Sequence, residues 1–130
     1  MASEKISIVL VSGSRERLQM AAMMASVGAV SGYEVSVFVS MNALPHFTRD
    51  ARGVAESEGP MGLLLEEKKA PPFHDLFQQA VELGDAQVYP CSMAMDILGL
   101  DREMLAVFVA EPLGLTRFLS DTNGGQCWTF

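Results

Sequence analysis

The sequence predicts a single-domain α/β protein with a parallel, doubly wound, flavodoxin-like sheet of about five strands and helices on both faces. Two observations support this class. Strand-like and helix-like segments alternate along most of the chain, and several of the helix-like segments end at a glycine. The chain has 130 residues, of which 49% are hydrophobic, and this size suits one packed domain better than two.

The first third of the chain is predicted to form a strand, a helix and a second strand. Residues 6–11 are rich in β-branched side chains, and residues 15–30 carry helix formers before Gly32. Residues 33–39 then alternate in polarity like a strand. Two strands joined by a helix are expected to be parallel. Glycines and prolines punctuate residues 40–72, which are therefore predicted to form an irregular insertion.

Regular periodicity returns after residue 72. The predicted elements are a helix over 73–83, a strand over 86–90, a helix over 92–98, a strand over 106–110, a helix from Pro112 to about Asp121, and an edge strand over 126–130. The last of these completes the expected five strands.

Composition excludes several function classes. The formal net charge is −7 and the chain has only nine Lys and Arg residues, which argues against binding to a phosphate backbone. Two cysteines far apart in sequence make no disulfide framework, and the first residues lack the basic region of a signal peptide. The uncharged stretch 20–30 is too short to span a membrane. We therefore expect a cytoplasmic protein.

Cys91 is the residue whose position most suggests chemistry. It closes the strand-like run 86–90 and opens the helix-like run 92–98. A thiol at the start of a helix lies near free backbone N–H groups and the positive end of the helix dipole, which favour the thiolate. Because the thiolate is the nucleophilic form, Cys91 is predicted to be catalytic. The alternative is a free cysteine that packs as a small apolar residue.

A binding site is predicted at the carboxyl ends of the strands, where ligands gather in doubly wound sheets. If the order is flavodoxin-like, the loop after the first strand faces Cys91, and Arg15 together with the hydroxyls of Ser12, Ser14 and Ser92 would surround a sulfur-bearing anion. The predicted substrate-binding residues are Gly13, Ser14, Arg15, Ser92 and Met93. An ordinary strand-to-helix turn with Ser14 as the helix cap is the alternative for residues 13–14.

Several of these motifs together resemble the DsrE/DsrF/DrsH-like family of small α/β sulfur-relay proteins. The most specific run is Cys91-Ser92-Met93-Ala94-Met95-Asp96, followed by Leu98-Gly99-Leu100. The resemblance also includes Phe73-His74-Asp75-Leu76 and the opening Ser12-Gly13-Ser14, and it covers most of the chain. An aromatic stretch that is usual in relatives after the second strand is only partly kept in residues 41–48.

The resemblance implies a sulfur carrier or sulfurtransferase that holds sulfane sulfur or a thiosulfonate group on Cys91 and passes it to a partner thiol. A TusA-like or rhodanese-like protein is the implied partner, and no metal or organic cofactor is implied. Family members commonly assemble as homotrimers or hexamers. High apolar content and methionine-bearing helices also lead us to expect an oligomer, with a trimer preferred.

Other readings of the sequence stay open or are set aside. The chain is alternatively a noncatalytic oligomeric subunit or a small-anion-binding module in which Cys91 is structural. A thiol peroxidase is disfavoured, because Val88 stands where that class has threonine, three residues before the cysteine. Cys127 is expected to be packed rather than to act as a resolving thiol. His46 and His74 are expected to be surface or loop residues and to bind no metal.

Overall fold

The structure is a computed structural model that describes residues 4–51 and 55–130. Four strands and five α-helices lie in the described ranges. In chain order they are β1 (Lys5–Leu10), α1 (Arg15–Val30), β2 (Glu34–Val39), α2 (Pro60–Glu67), α3 (Phe73–Gly84), β3 (Gln87–Pro90), α4 (Ser92–Leu98), α5 (Leu115–Asp121) and β4 (Gln126–Thr129). Two short 3₁₀ helices cover Met41–Phe47 and Arg102–Met104.

The strands form one parallel sheet in the order β3-β2-β1-β4. The predicted class is confirmed, with four strands instead of about five. The strand order differs from the flavodoxin order, in which β1 lies between β2 and β3. Here β2 separates β1 from β3, because the chain winds in one direction through β3 before it crosses to β4 on the other side of β1. Local periodicity, which is the same for either order, does not encode this difference.

Helices α1 and α3 pack together on one face of the sheet, and α5 covers part of the other. The contact between α1 and α3 is close: a Cβ on Gly84 would lie 2.4 Å from the Cβ of Ala29. On the opposite face the Phe118 ring of α5 lies 5.0 Å from the Phe38 ring of β2. Alternate strand residues such as Ile8 and Val37 are fully buried toward α1 and α3. Two layers of helices therefore enclose the sheet.

Helix α1 has a buried side of small residues and an exposed apolar side. Its alanines at 21, 22, 25 and 29 are buried, as the predicted helical spacing requires. The opposite side exposes Met20, Met23, Val27 and Val30, which follow one another at helical spacing. No helix in the described parts of the chain is long and apolar enough to cross a membrane.

The strand predicted over 106–110 does not form. Leu105 instead makes an antiparallel bridge with Thr48, and the chain turns after it. The following segment then runs beside the outer edge of β3: the Ala110 amide donates to the Val88 carbonyl and the Leu113 amide to the Pro90 carbonyl. Between these two hydrogen bonds the segment advances by three residues, from 110 to 113, while β3 advances by two, from 88 to 90. This mismatch is a bulge, and it breaks the regular pairing of the two segments.

The helix predicted from Pro112 begins later, at Leu115. Leu113 is still bridged to Cys91 in the parallel sense, so the chain is extended there and cannot yet be helical. The segment predicted as an irregular insertion, residues 40–72, also contains more structure than expected. It holds the 3₁₀ helix Met41–Phe47, with Phe47 fully buried against Phe77, and it holds α2.

Candidate functional site

Cys91 lies where the sequence predicted, between β3 and α4, as the N-cap residue of α4. Its backbone is fixed on both sides. The Cys91 amide donates to the carbonyl of Val39 at the end of β2, and its own carbonyl accepts the Met95 amide as the first bond of the helix. The residue is only 6% exposed. The thiol is therefore held beneath the surface at the carboxyl edge of the sheet.

The backbone around the thiol differs from the expected cradle of free amides. The Ser92 amide, the first of α4, donates to the Leu113 carbonyl at 3.1 Å, and the Cys91 side chain makes no capping hydrogen bond. Ser92 and Met93 follow with exposed side chains. The segment that ends at Leu113 thus occupies one of the donors on which the sequence argument relied.

The two halves of the predicted binding site lie at the ends of strands that are not neighbours. Because β2 lies between them, roughly 10 Å separates the ends of β1 and β3. Residues 13–15 follow β1, whereas Cys91, Ser92 and Met93 follow β3. The arrangement in which Arg15 and the hydroxyls of residues 12, 14 and 92 surround one small anion required adjacent strands, and that arrangement is not found.

The loop after β1 is filled by a carboxylate of the insertion. Ser14 caps α1 by accepting the Arg17 amide, and its hydroxyl donates to Glu58 Oε1 at 2.7 Å. The Arg17 Nε donates to the same oxygen at 2.8 Å. The Ser14 hydroxyl, followed by the Arg17 side chain, lowers the pKa of Glu58 below its usual range. A glutamate of the chain itself therefore occupies the position expected for an anionic ligand.

A second carboxylate, on α1, contacts the backbone at the start of α2. Glu16, in the first turn of α1, accepts the backbone amides of Glu58 at 2.9 Å, Gly59 at 2.9 Å and Gly62 at 3.2 Å, and so caps the start of α2. These bonds, that of the Glu58 amide above all, lower the pKa of Glu16. The Glu16 carboxylate therefore caps the start of α2, whereas Glu58 accepts from side chains at the start of α1.

Arg15 and Gly13 complete the attachment of this region. The Arg15 amide donates to the Glu56 carbonyl at 2.8 Å, and its guanidinium bonds Glu66 at 2.7 Å. Gly13 is required by close packing, since a Cβ there would lie 2.6 Å from the Asn42 carbonyl oxygen and 2.9 Å from His46 Nε2. In this conformation residues 13–15 bind the insertion to α1.

An open cavity of about 560 Å³ lies beside this loop, and His46 is its least expected feature. The ring is partly buried against Gly13, its Nδ1 has no hydrogen-bond partner among the described residues, and burial lowers the pKa of His46. Asn42 and Glu58 line the same cavity. His46 was expected to be a surface or loop residue because no Cys, His or carboxylate lies near it in sequence at the spacing of a metal or catalytic site.

The remaining polar residues lie elsewhere. His74 is buried in α3 between the rings of Phe73 and Phe108, so its predicted surface position is wrong. Cys127 is exposed on β4, so its predicted packing is also wrong. Since β3 and β4 are opposite edges of the sheet, the two cysteines lie roughly 14 Å or more apart, too far for a disulfide within one chain. Within residues 4–51 and 55–130, no three His, Cys, Asp or Glu side chains group to hold a metal ion.

The fold and the cysteine define a class: a doubly wound α/β protein with one buried thiol at the carboxyl edge of its sheet. The model of the DsrE/DsrF-like family matches residues 5–122, and the chain belongs to this family. Two solved structures have the same fold. The ychN protein from E. coli is 15% identical with a TM-score of 0.62, and MTH1491 from Methanobacterium thermoautotrophicum, a protein of unknown function, is 14% identical with a TM-score of 0.59. Both alignments cover 99% of this chain and 100% of the other. No protein of curated function matches the chain.

Proposed function

We propose that this protein is a sulfur carrier or cysteine-dependent sulfurtransferase that holds sulfur on Cys91. Membership of the DsrE/DsrF-like family associates the chain with sulfur relay. The observation that carries the proposal is the position of Cys91, whose backbone is fixed between the end of β2 and the first turn of α4. A thiol at the carboxyl ends of the strands lies on the side of the sheet where doubly wound folds bind their ligands.

The chemistry requires two displacement steps at sulfur. In the first, the Cys91 thiolate attacks the sulfane sulfur of a donor, a bond from Sγ to that sulfur forms, and the donor's bond to it breaks with the electron pair leaving on the donor. In the second, a partner thiolate attacks the outer sulfur, and the Cys91 thiolate is the leaving group. Neither step needs a metal, an organic cofactor or an external oxidant.

Burial of the thiol gives the carrier a protected and an open state. Cys91 is 6% exposed, and we expect the same surroundings to shield sulfur held on it from water and from unrelated thiols. Transfer then requires a local opening, and the adjoining segment around Leu113 is the natural part to move, because a single bridge pairs it with Cys91 where the regular ladder is already broken. Reaction with a partner would thus depend on docking at this edge.

The proposed partner is a TusA-like or rhodanese-like sulfur-transfer protein, and the small-molecule donor is a sulfur-containing anion. We further propose a homo-oligomer, a trimer or hexamer, because the exposed apolar side of α1 is surface that a neighbouring copy would remove from water. Two free cysteines and reversible persulfide chemistry fit a reducing, cytoplasmic location.

A second function has one observation in its favour. Cys91 is buried and its side chain makes no capping bond, as expected of a structural cysteine in a noncatalytic subunit. The alternative in which the loop after β1 binds a small anion is less well supported, because Glu58 already accepts hydrogen bonds from Ser14 and Arg17 there.

Site-resolved sulfur loading separates the two functions. The reduced chain is exposed to polysulfide, thiosulfate or tetrathionate, and the adduct is located by peptide mass spectrometry in wild type, Cys91→Ser and Cys127→Ser. We expect Cys91 to gain sulfur in wild type and Cys127→Ser, and to pass it to the thiol of a TusA-like protein. Cys127 is the matched control because it is the exposed thiol. Loading of Cys127 alone, with Cys91 unmodified unless the protein is denatured, would establish the structural role.

A further inference from the structure

A second cavity, unrelated to Cys91, lies between the start of α1, the end of α2 and the start of α3. Its volume is about 350 Å³, within the range of small-molecule sites. We call it the α2–α3 pocket. Its walls include Leu65 and Phe73, and its polar groups include Arg15, Glu66 and Lys69. A mainly apolar cavity with a few convergent charges is the usual form of a site for a small organic ligand.

A backbone hydrogen bond at the end of α2 and a side-chain hydrogen bond from α1 fix the chain that forms one wall of the pocket. Helix α2 ends at Glu67, Lys69 just beyond it takes a left-handed conformation with φ 55°, and the Ala70 amide donates to the Leu65 carbonyl at 3.0 Å. The Gln19 side chain then fixes the next residues through a 2.9 Å bond to the Pro71 carbonyl. The cavity is therefore built before any ligand arrives, which lowers the entropic cost of binding.

The charges at the rim favour an anion. The Arg15 side chain is 13% exposed, whereas its partner Glu66 is 70% exposed, at 2.7 Å. An ion pair with one highly exposed partner contributes little, so another carboxylate can replace Glu66 at small cost. Lys69 adds a second positive charge at the same rim. A ligand carboxylate that displaced Glu66 would meet two cations and a charge-assisted hydrogen bond from Arg15.

We propose that the α2–α3 pocket binds a small organic monocarboxylate with an apolar body. The carboxylate pairs with Arg15 in place of Glu66, and the body lies against Leu65 and Phe73. An inorganic anion would leave the apolar walls unused, and an uncharged or cationic ligand would leave Arg15 with Glu66. This site is separate from the proposed sulfur chemistry, since neither cysteine lines it.

Calorimetric titration of the full chain with four probes tests the ligand class. Octanoate carries both features, acetate lacks the apolar body, octan-1-ol lacks the charge, and octylammonium reverses it. We expect saturable binding of one octanoate per chain and at least about tenfold weaker binding of the other three. Absence of saturable octanoate binding, or equal binding of octylammonium, would overturn the proposal.

Two adjacent pairs of charges give matched control variants. Lys69→Gln removes a rim cation and should weaken octanoate binding about three- to fivefold, whereas Lys68→Gln, an equal change in charge outside the pocket, should change it little. Glu66→Gln removes the competitor for Arg15 and should strengthen binding by a similar factor, with Glu67→Gln as its control. Equal effects of Lys68 and Lys69, or weaker binding after Glu66→Gln, would contradict the assigned geometry.

Discussion

Phe118→Ala tests whether α5 is anchored to the sheet by a single buried ring. Phe118 is 1% exposed and pairs with Phe38 at 5.0 Å, while its neighbours on α5 are exposed. Burial of a phenylalanine side chain contributes about 2–3 kcal/mol, the ring pair adds about 1 kcal/mol, and the cavity left behind adds to the loss. We therefore expect the free energy of unfolding to fall by about 4 kcal/mol, a large part of the typical total.

Urea unfolding monitored by circular dichroism measures this loss. With a slope of about 2 kcal/mol per M, the midpoint of Phe118→Ala should fall by about 2 M. Leu119→Ala, in the same helix at a residue 55% exposed, is the matched control and should move the midpoint by less than about 0.5 M. Equal shifts for the two variants would refute the role of Phe118 as an anchor.

The same variant also reports on Cys91. Helix α5 begins two residues after Leu113, which is bridged to Cys91. Loss of the anchor should loosen this segment, so iodoacetamide should modify Cys91 faster in Phe118→Ala than in wild type under native conditions. Cys127, already exposed, is the internal standard and should react at an unchanged rate. An unchanged rate at Cys91 would show that another part of the structure controls access.

Two further predictions concern helix contacts. Gly84→Ala places a Cβ 2.4 Å from an α1 methyl and should cost about 1–3 kcal/mol in urea unfolding, whereas Gly114→Ala, with open space around it, should cost less than about 0.5 kcal/mol; equal costs would contradict the close contact. The pKa of Glu58 is lowered in the fold, so its contribution is full above about pH 4.3 and is lost as the pH falls through the lowered value. Amide-exchange protection of residues 56–66 should therefore fall on acidification, and Glu58→Gln should reduce it at pH 7; protection that does not depend on either change would contradict a stabilising role for the contacts of Glu58 with Ser14 and Arg17.

Much of the fold follows from local sequence patterns. The strands β1 and β2 were predictable from their β-branched residues, and the helices α1 and α3 from runs of helix formers that precede a glycine. The segment 106–110 has strand-like composition, but its neighbour Leu105 pairs with Thr48, which lies in a distant part of the chain. Strand order likewise depends on how the chain crosses the sheet, and no local pattern of residues records it.

The position of Cys91 in the fold was predictable from the sequence, whereas its contacts and those of the loop after β1 were not. A cysteine between a strand and a helix is visible in sequence, and Cys91 is found there. The Ser92 amide donates to the Leu113 carbonyl, about twenty residues away in sequence, and the Ser14 hydroxyl donates to Glu58, about forty residues away. Contacts between residues this far apart leave no trace in a local sequence pattern. For a charged residue in a loop, the local sequence does not show whether its side chain is solvated or is hydrogen-bonded to a distant part of the chain.

The bulge beside β3 also limits strand pairing between molecules at that edge of the sheet. Pro112 lacks an N–H, and residues 110–113 already take the Val88 and Pro90 carbonyls, so this edge offers little to an incoming strand from another molecule. Among the described strands, β4 is the other edge of the sheet. Any edge-to-edge growth, whether orderly or toward aggregates, must therefore start at β4, where the exposed Cys127 could then lock the contact under oxidising conditions.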